Sequence, residues 1–317
     1  MRIILTVVVA STLALSVSGQ EKPTQEKPAQ EKPALPRELV ATDIPGVIAG
    51  GTKVQLVRDG FTSQEGPIAM PDGSLLFTES GAARIVKIDG DDRVSTYLDN
   101  VVGHPRGLAY DRRGRLVATL ARTGELAAIA PVREVIVNSF GGQTLGYPND
   151  IVADSKGGIY FTDPADSPAH GKFRAPPPNR KSMVFYVRPD GGVISVNDTI
   201  RPNGVQLSPD EKVLYATNRD EIVAFDVQPD GTLRNQRRFV MSRGDGLAMD
   251  SEGRLYAAAQ GVQVFSPDGK HLGTIPTGAG PSNMAFAGPD KRTLYMVGGG
   301  AVYKVRTIAQ GITSRAK

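Results

Sequence analysis

From Ile68 onward the chain repeats one pattern of apolar and polar positions. A short apolar run leads into a polar turn, usually with Asp or Gly, and a second run with apolar alternation follows. Six segments share it: IAMPDGSLLFTES from Ile68, LAYDRRGRLVATLA from Leu108, IVADSKGGIYFTDP from Ile151, VQLSPDEKVLYATN from Val205, LAMDSEGRLYAAAQ from Leu247 and MAFAGPDKRTLYMVGG from Met284. Their starts lie 37 to 54 residues apart. Period-two alternation around such turns marks β-hairpins, and no segment sustains a helical period. Later strand-like runs complete each unit, such as RIVKID and VSTYLD after the first and VQVFSPDG and HLGTIP after the fifth. About four strands in every ~40 residues predict an all-β fold, a six-bladed β-propeller with four-stranded blades. A unit of this size cannot bury both faces alone, so the blades must stack on one another.

The ends of the pattern set the domain limits. MRIILTVVVASTLALSVSG opens with one Arg, runs apolar from Ile3 to about Leu15 and then turns small and polar. That is a secretory signal pattern over residues 1–19, too short to span a bilayer. Residues 20–36 repeat Gln-Glu-Lys-Pro without an apolar face and read as a disordered spacer. The propeller is expected over 37–317, with residues 37–59 pairing onto the last blade, and the protein is expected to be exported to the periplasm or beyond. Residues 165–182, ADSPAHGKFRAPPPNRKS, interrupt the third unit and predict a loop, either a surface excursion or a rim beside the channel.

Composition excludes several classes. Of 317 residues, 40% are apolar and 22% charged, which suits a soluble globular chain. A scattered net charge of +4 argues against nucleic acid as a partner. The absence of cysteine removes disulfides, zinc–thiolate sites and a cysteine nucleophile.

The residues just ahead of each first strand carry the candidate chemistry. They read EGP (65–67), PRG (105–107), PND (148–150), PNG (202–204), GDG (244–246) and PSN (281–283). Equivalent positions in successive blades form a ring at one end of the central channel. Here that ring is Gly66, Arg106, Asn149, Asn203, Asp245 and Ser282, with Glu65 beside it. One Asn or Asp ahead of a strand is ordinarily a turn residue bonding its own backbone. Two carboxylates and two amide oxygens converging on an axis need a partner, because burying them unpaired is costly. A hard divalent cation satisfies all four: Ca²⁺ first, with Mg²⁺ or Mn²⁺ also suited to oxygen ligands. No His or Cys joins the ring, which argues against zinc.

EGP, PNDIVADSKGGIYFTDP, PNGVQLSPDEKVLYATN and DGLAMDSEGRLY together resemble the SMP-30/gluconolactonase/LRE family over roughly residues 60–306. The resemblance implies a six-bladed propeller holding one divalent metal through Glu65, Asn149, Asn203 and Asp245. It also implies hydrolysis of lactones, sugar lactones among them, and some relatives cleave organophosphates. The chain departs from the family pattern at Arg106, where a polar amide is frequent. It departs again at Leu145 and Tyr147, where Arg or Asn is common, and in ADSPAHG, where aromatic residues usually follow FTDP.

The chemistry expected is water attack on a metal-polarised lactone or ester carbonyl. Asp245 is the expected general base, with Asp150 in reserve. Arg106 and Asn149 are expected to bind substrate, Arg106 having an ion pair at the rim as its other reading. No G-x-S-x-G elbow supports a serine hydrolase. The alternative is a non-catalytic, metal-stabilised propeller that binds a protein or glycan.

Overall fold

The computed structural model describes residues 34–165 and 179–317. The expected signal segment, most of the spacer and residues 166–178 of the expected loop lie outside them. Leu35–Lys317 forms one compact unit.

That unit is the six-bladed propeller the repeats predict. Blade one comprises Gln64–Ala69, Leu75–Glu79, Arg84–Ile88 and Val94–Leu98, and blade two Pro105–Tyr110, Leu116–Leu120, Glu125–Ala130 and Glu134–Val137. Blade three comprises Ile151–Ala153, Ile159–Asp163, Met183–Val187 and Val193–Asn197. Blade four is Val205–Leu207, Val213–Asn218, Glu221–Val227 and Leu233–Val240, and blade five Leu247–Met249, Leu255–Ala259, Gly261–Phe265 and His271–Ile275. In each the strands pair antiparallel in chain order, outward from the channel.

Blade six is built from both ends of the domain. Asn283–Ala287, Thr293–Gly298 and Ala301–Arg306 are followed in space by Lys53–Asp59, with Glu38–Val40 outside it. The register is Val54 opposite Val305, Leu56 opposite Tyr303 and Asp59 opposite Ala301, which gives the expected closure its alignment. Gln64 ties blade one back to blade six, its Nε2 donating to Ala301 O at 3.3 Å while its own carbonyl accepts from Ser282 Oγ at 2.6 Å.

Burial follows position within the blade. The second strands of blades one to three, Leu75–Glu79, Leu116–Leu120 and Ile159–Asp163, are buried along their whole length. Outer strands face water, as in Leu233–Val240 with its exposed run Arg-Asn-Gln-Arg-Arg. The apolar clusters join neighbouring blades. Leu75, Phe77 and Ile88 pack with Tyr295, Val297 and Val302 across the closure, and Tyr160 and Val184 pack with Leu214 and Phe225 between blades three and four. Each such side chain contributes about 1.5–3 kcal/mol when fully buried, and that shared burial fixes the radial arrangement of the ring.

Candidate functional site

The ring residues reach the channel in two ways. In blades three to six they sit in the turn before the inner strand. In blades one and two they sit inside it, where pairing with the next strand shifts register between Glu65 and Ile68 and between Pro105 and Leu108. At the first irregularity Gly66 adopts φ +51°, and a Cβ there would stand 2.0 Å from Arg106 O. Only glycine fits that crowded, left-handed position. The bulge re-aims the strand and presents Glu65, rather than residue 66, to the ring.

The polar side chains form one chain of contacts around the channel. Arg106 Nη2 donates to Glu65 Oε1 at 2.8 Å, and Arg106 Nε to Asn149 Oδ1 at 2.9 Å. Asn149 Nδ2 donates to Asn203 Oδ1 at 2.8 Å, and Asp245 lines the same cavity as Asn149 and Asn203. Glu65, Arg106, Asn149 and Asn203 are thereby linked across four blades. All four expected oxygen ligands and Arg106 are brought together.

The charges in this chain are poorly compensated. Asp245 Oδ1 is enclosed and has no hydrogen-bond partner. Burial, then repulsion from Glu65, pushes the Asp245 carboxyl up to about 8, against the pull of Arg106. Burial also raises Glu65, opposed chiefly by the Arg106 guanidinium. Among the described residues no group of three or more His, Cys, Asp or Glu converges as a metal site, so the donors here are two carboxylates and two amides.

Asp150 is differently disposed. Both its oxygens lie 2.6 Å from Lys317 Nζ, and they also accept the N–H groups of Ile151 (3.0 Å) and Val205 (3.1 Å). A carboxylate with both oxygens so engaged is poorly placed to take a proton from water, which disfavours Asp150 as the reserve base. Leu145 and Tyr147 are buried, with the Tyr147 and Gly146 N–H groups each donating to Asp163 at 2.7 Å. Asp163 also pairs with Arg180 at 3.2 Å, anchoring the far end of the expected loop in the interior.

A set of buried threonines holds the ring from behind, and sequence reasoning passed over it. Thr78 Oγ1 donates to Arg106 O at 2.9 Å, Thr119 Oγ1 donates to Asn149 O, and Thr162 Oγ1 donates to Asn203 O at 2.6 Å. Each hydroxyl belongs to one blade and fixes the ring residue of the next. The signal was the recurring Thr in LLFTES, LVATLA, IYFTDP and LYATN.

Above the ring opens a cavity of about 700 Å³, lined by Asn149, Asn203 and Asp245 and, at its mouth, by Arg201, Arg219 and Arg243. Among the described residues Asp245 is its one acidic lining residue. The cavity has room for a small organic molecule set against the carboxylate.

A propeller whose channel mouth carries a buried ring of acid, amide and guanidinium groups defines the class. The profile of the SMP-30/gluconolactonase/LRE-like region matches residues 63–299, and the chain belongs to that family. It is 29% identical over 304 residues to a gluconolactonase from Zymomonas mobilis, covering 83% of this chain and 84% of that one. It is 29% identical over 239 residues to the lactonase drp35 of Staphylococcus haemolyticus, covering 69% and 71%. Among solved structures, a gluconolactonase from Xanthomonas campestris superposes with a TM-score of 0.78 at 28% identity, covering 86% of this chain and 95% of that one.

Proposed function

We propose that the protein is a metal-dependent lactonase that opens a sugar lactone or related ester to the hydroxy acid. The observation that carries this reading is the enclosed, partnerless oxygen of Asp245 beside Glu65, with two amide oxygens completing an oxygen-only donor set. The names of the relatives support the same chemistry.

Glu65, Asn149, Asn203 and Asp245 would hold the cation, Ca²⁺ being the first choice for such ligands. When bound, the cation supplies Lewis-acid polarisation of the carbonyl. The rest of the chemistry belongs to the side chains. Asp245, as the ionised carboxylate nearest the cavity, would accept a proton from the attacking water. The water oxygen bonds to the carbonyl carbon, the ring C–O bond breaks, and the departing ring oxygen takes the proton as a hydroxyl. Arg106 engages the same Glu65 and Asn149 oxygens that a cation would take, so the two compete. Once displaced, its planar guanidinium is within the site to hold a substrate oxygen. The N-terminal pattern supports an exported enzyme, and no helix among the described residues is long and apolar enough to cross a membrane.

The test is turnover of a lactone and aryl-ester panel with Ca²⁺ and with EDTA, with Asp245→Ala in parallel. Cation-dependent opening lost in the variant is expected. Calcium uptake without turnover of any lactone or ester would overturn the hydrolase reading in favour of a binding propeller.

A further inference from the structure

The segment Gly311–Lys317 crosses the channel at the end opposite the ring. Gly311 bridges to Asp250, just past the inner strand of blade five, and its N–H donates to Lys291 O of blade six at 2.8 Å. The Arg315 guanidinium donates to Leu207 O at 3.1 Å and Ser208 O at 2.6 Å, where the inner strand of blade four ends. Ala316 O accepts the Ala69 N–H of blade one at 2.8 Å, and Ala316 packs with Ile68 of blade one and Leu108 of blade two. Lys317 reaches blade three, with Nζ 2.6 Å from both oxygens of Asp150. A segment that touches all six blades lies on their common axis.

Lys317 therefore reaches Asp150, the residue next to Asn149, from the far end of the channel. Its side chain is 4% exposed and that of Asp150 3%, so each is the other's counter-ion in a nearly dry interior. Asp150 follows Asn149 directly and accepts the N–H of Val205, two residues beyond Asn203. One carboxylate thus joins the two turns that carry the amide oxygens of the ring.

We propose that Lys317 is a positioning residue: by pairing with Asp150 from the far end of the channel, it holds the Asn149 and Asn203 turns in register. Its cation-binding consequence rests on the lactonase reading above. Removing one partner of a buried pair leaves the other charge uncompensated, whereas removing both does not. Residues that orient ligands from behind commonly change metal affinity by about 10–100-fold when lost.

The test uses Lys317→Met, Asp150→Asn and the double variant, read by calorimetric Ca²⁺ titration and by hydrogen exchange of peptides spanning 148–151, 203–206 and 244–247. Lys317→Met is expected to weaken Ca²⁺ by about tenfold or more and to speed exchange in the first two peptides, leaving the third as it was. The double variant is expected to recover most of both losses. Wild-type affinity and wild-type exchange in Lys317→Met would overturn the proposal. So would a double variant as damaged as Lys317→Met, which would assign the effect to packing of the lysine stem. Should Lys317→Met not fold, the double variant decides: exchange near wild type at the two turns supports the ion-pair role, and fast exchange overturns it. If the wild-type protein takes up no Ca²⁺, the cation reading fails, and hydrogen exchange alone judges Lys317.

Discussion

The Arg106 guanidinium bridges Glu65 and Asn149, at 2.8 Å from Glu65 Oε1 and 2.9 Å from Asn149 Oδ1, so blade two contributes a positive charge where blades one and three contribute oxygen acceptors. The pair is shielded, with side chains 13% and 7% exposed, and water does little to weaken it. A divalent cation held by the same oxygens would have to displace that contact. Arg106→Gln is expected to tighten Ca²⁺ binding by about tenfold, a change of about 1.4 kcal/mol. Isothermal titration reads it directly. Unchanged or weaker binding in the variant would show that Arg106 does not compete for these oxygens.

Asp245 gives the protein a pH dependence whose sign can be stated. Its carboxyl is raised to about 8 by burial and by Glu65, whereas an unfolded Asp titrates near 3.9. Between those values the folded state holds a proton that the unfolded chain has released. Stability in EDTA should therefore fall as pH rises from about 4 to about 8 and then level off. Cation binding requires the carboxylate, so Ca²⁺ affinity should rise over the same window. Thermal midpoints in EDTA from about pH 5 to about pH 9 check this, with Asp245→Asn expected to flatten the profile. A variant with the wild-type slope would assign the dependence to another group.

The mouth of the cavity favours negative charge. Among the described residues Arg201, Arg219 and Arg243 line it, against the single acid Asp245, and a bound cation would add to the same sign. A lactone bearing a carboxylate or phosphate should therefore show a higher kcat/KM than a neutral lactone of the same ring size, and the advantage should shrink with added salt. Arg219→Ala with Arg243→Ala should remove that advantage and spare the neutral substrate. Equal kcat/KM for the two lactones in the wild-type enzyme would count against steering by this wall.

Much of this architecture was legible in the residues, for identifiable reasons. Hairpin alternation repeats six times, so blade number follows from local pattern, and Glu65, Asn149, Asn203 and Asp245 meet because equivalent points of stacked blades must converge. Pairing of residues 37–59 onto the last blade was expected, while the choice and register of Lys53–Asp59 depend on which of several apolar residues face the core. Asp150 stands next to Asn149 in sequence, yet Asp150 turns to Lys317 and Asn149 to Arg106, a divergence that requires the backbone to be seen. Lys317 was illegible because the contact spans 167 residues and the segment carrying it has no periodicity. The threonines were visible but carried no signal, since Thr suits a strand whether or not its hydroxyl has a partner.

Thr162 tests whether those hydroxyls shape the ring. Its Oγ1 donates to Asn203 O at 2.6 Å and accepts the Asp150 N–H at 3.0 Å, in a fully buried position. Thr162→Val nearly preserves volume and deletes both bonds, leaving a carbonyl of one ring turn and an amide of the other without that partner. Such a loss costs about 1–3 kcal/mol, and chemical denaturation should show it as a lower midpoint at constant m-value. Thr162→Ser keeps the hydroxyl and should retain more of the stability while losing one methyl. The ring geometry makes a further demand on the pair: valine should also weaken Ca²⁺ binding, because Asn203 is free to shift, whereas serine should not. If valine and serine prove equally destabilised and bind Ca²⁺ alike, the threonine acts only as packing, and the position of Asn203 is set by Asp150 and the flanking backbone instead.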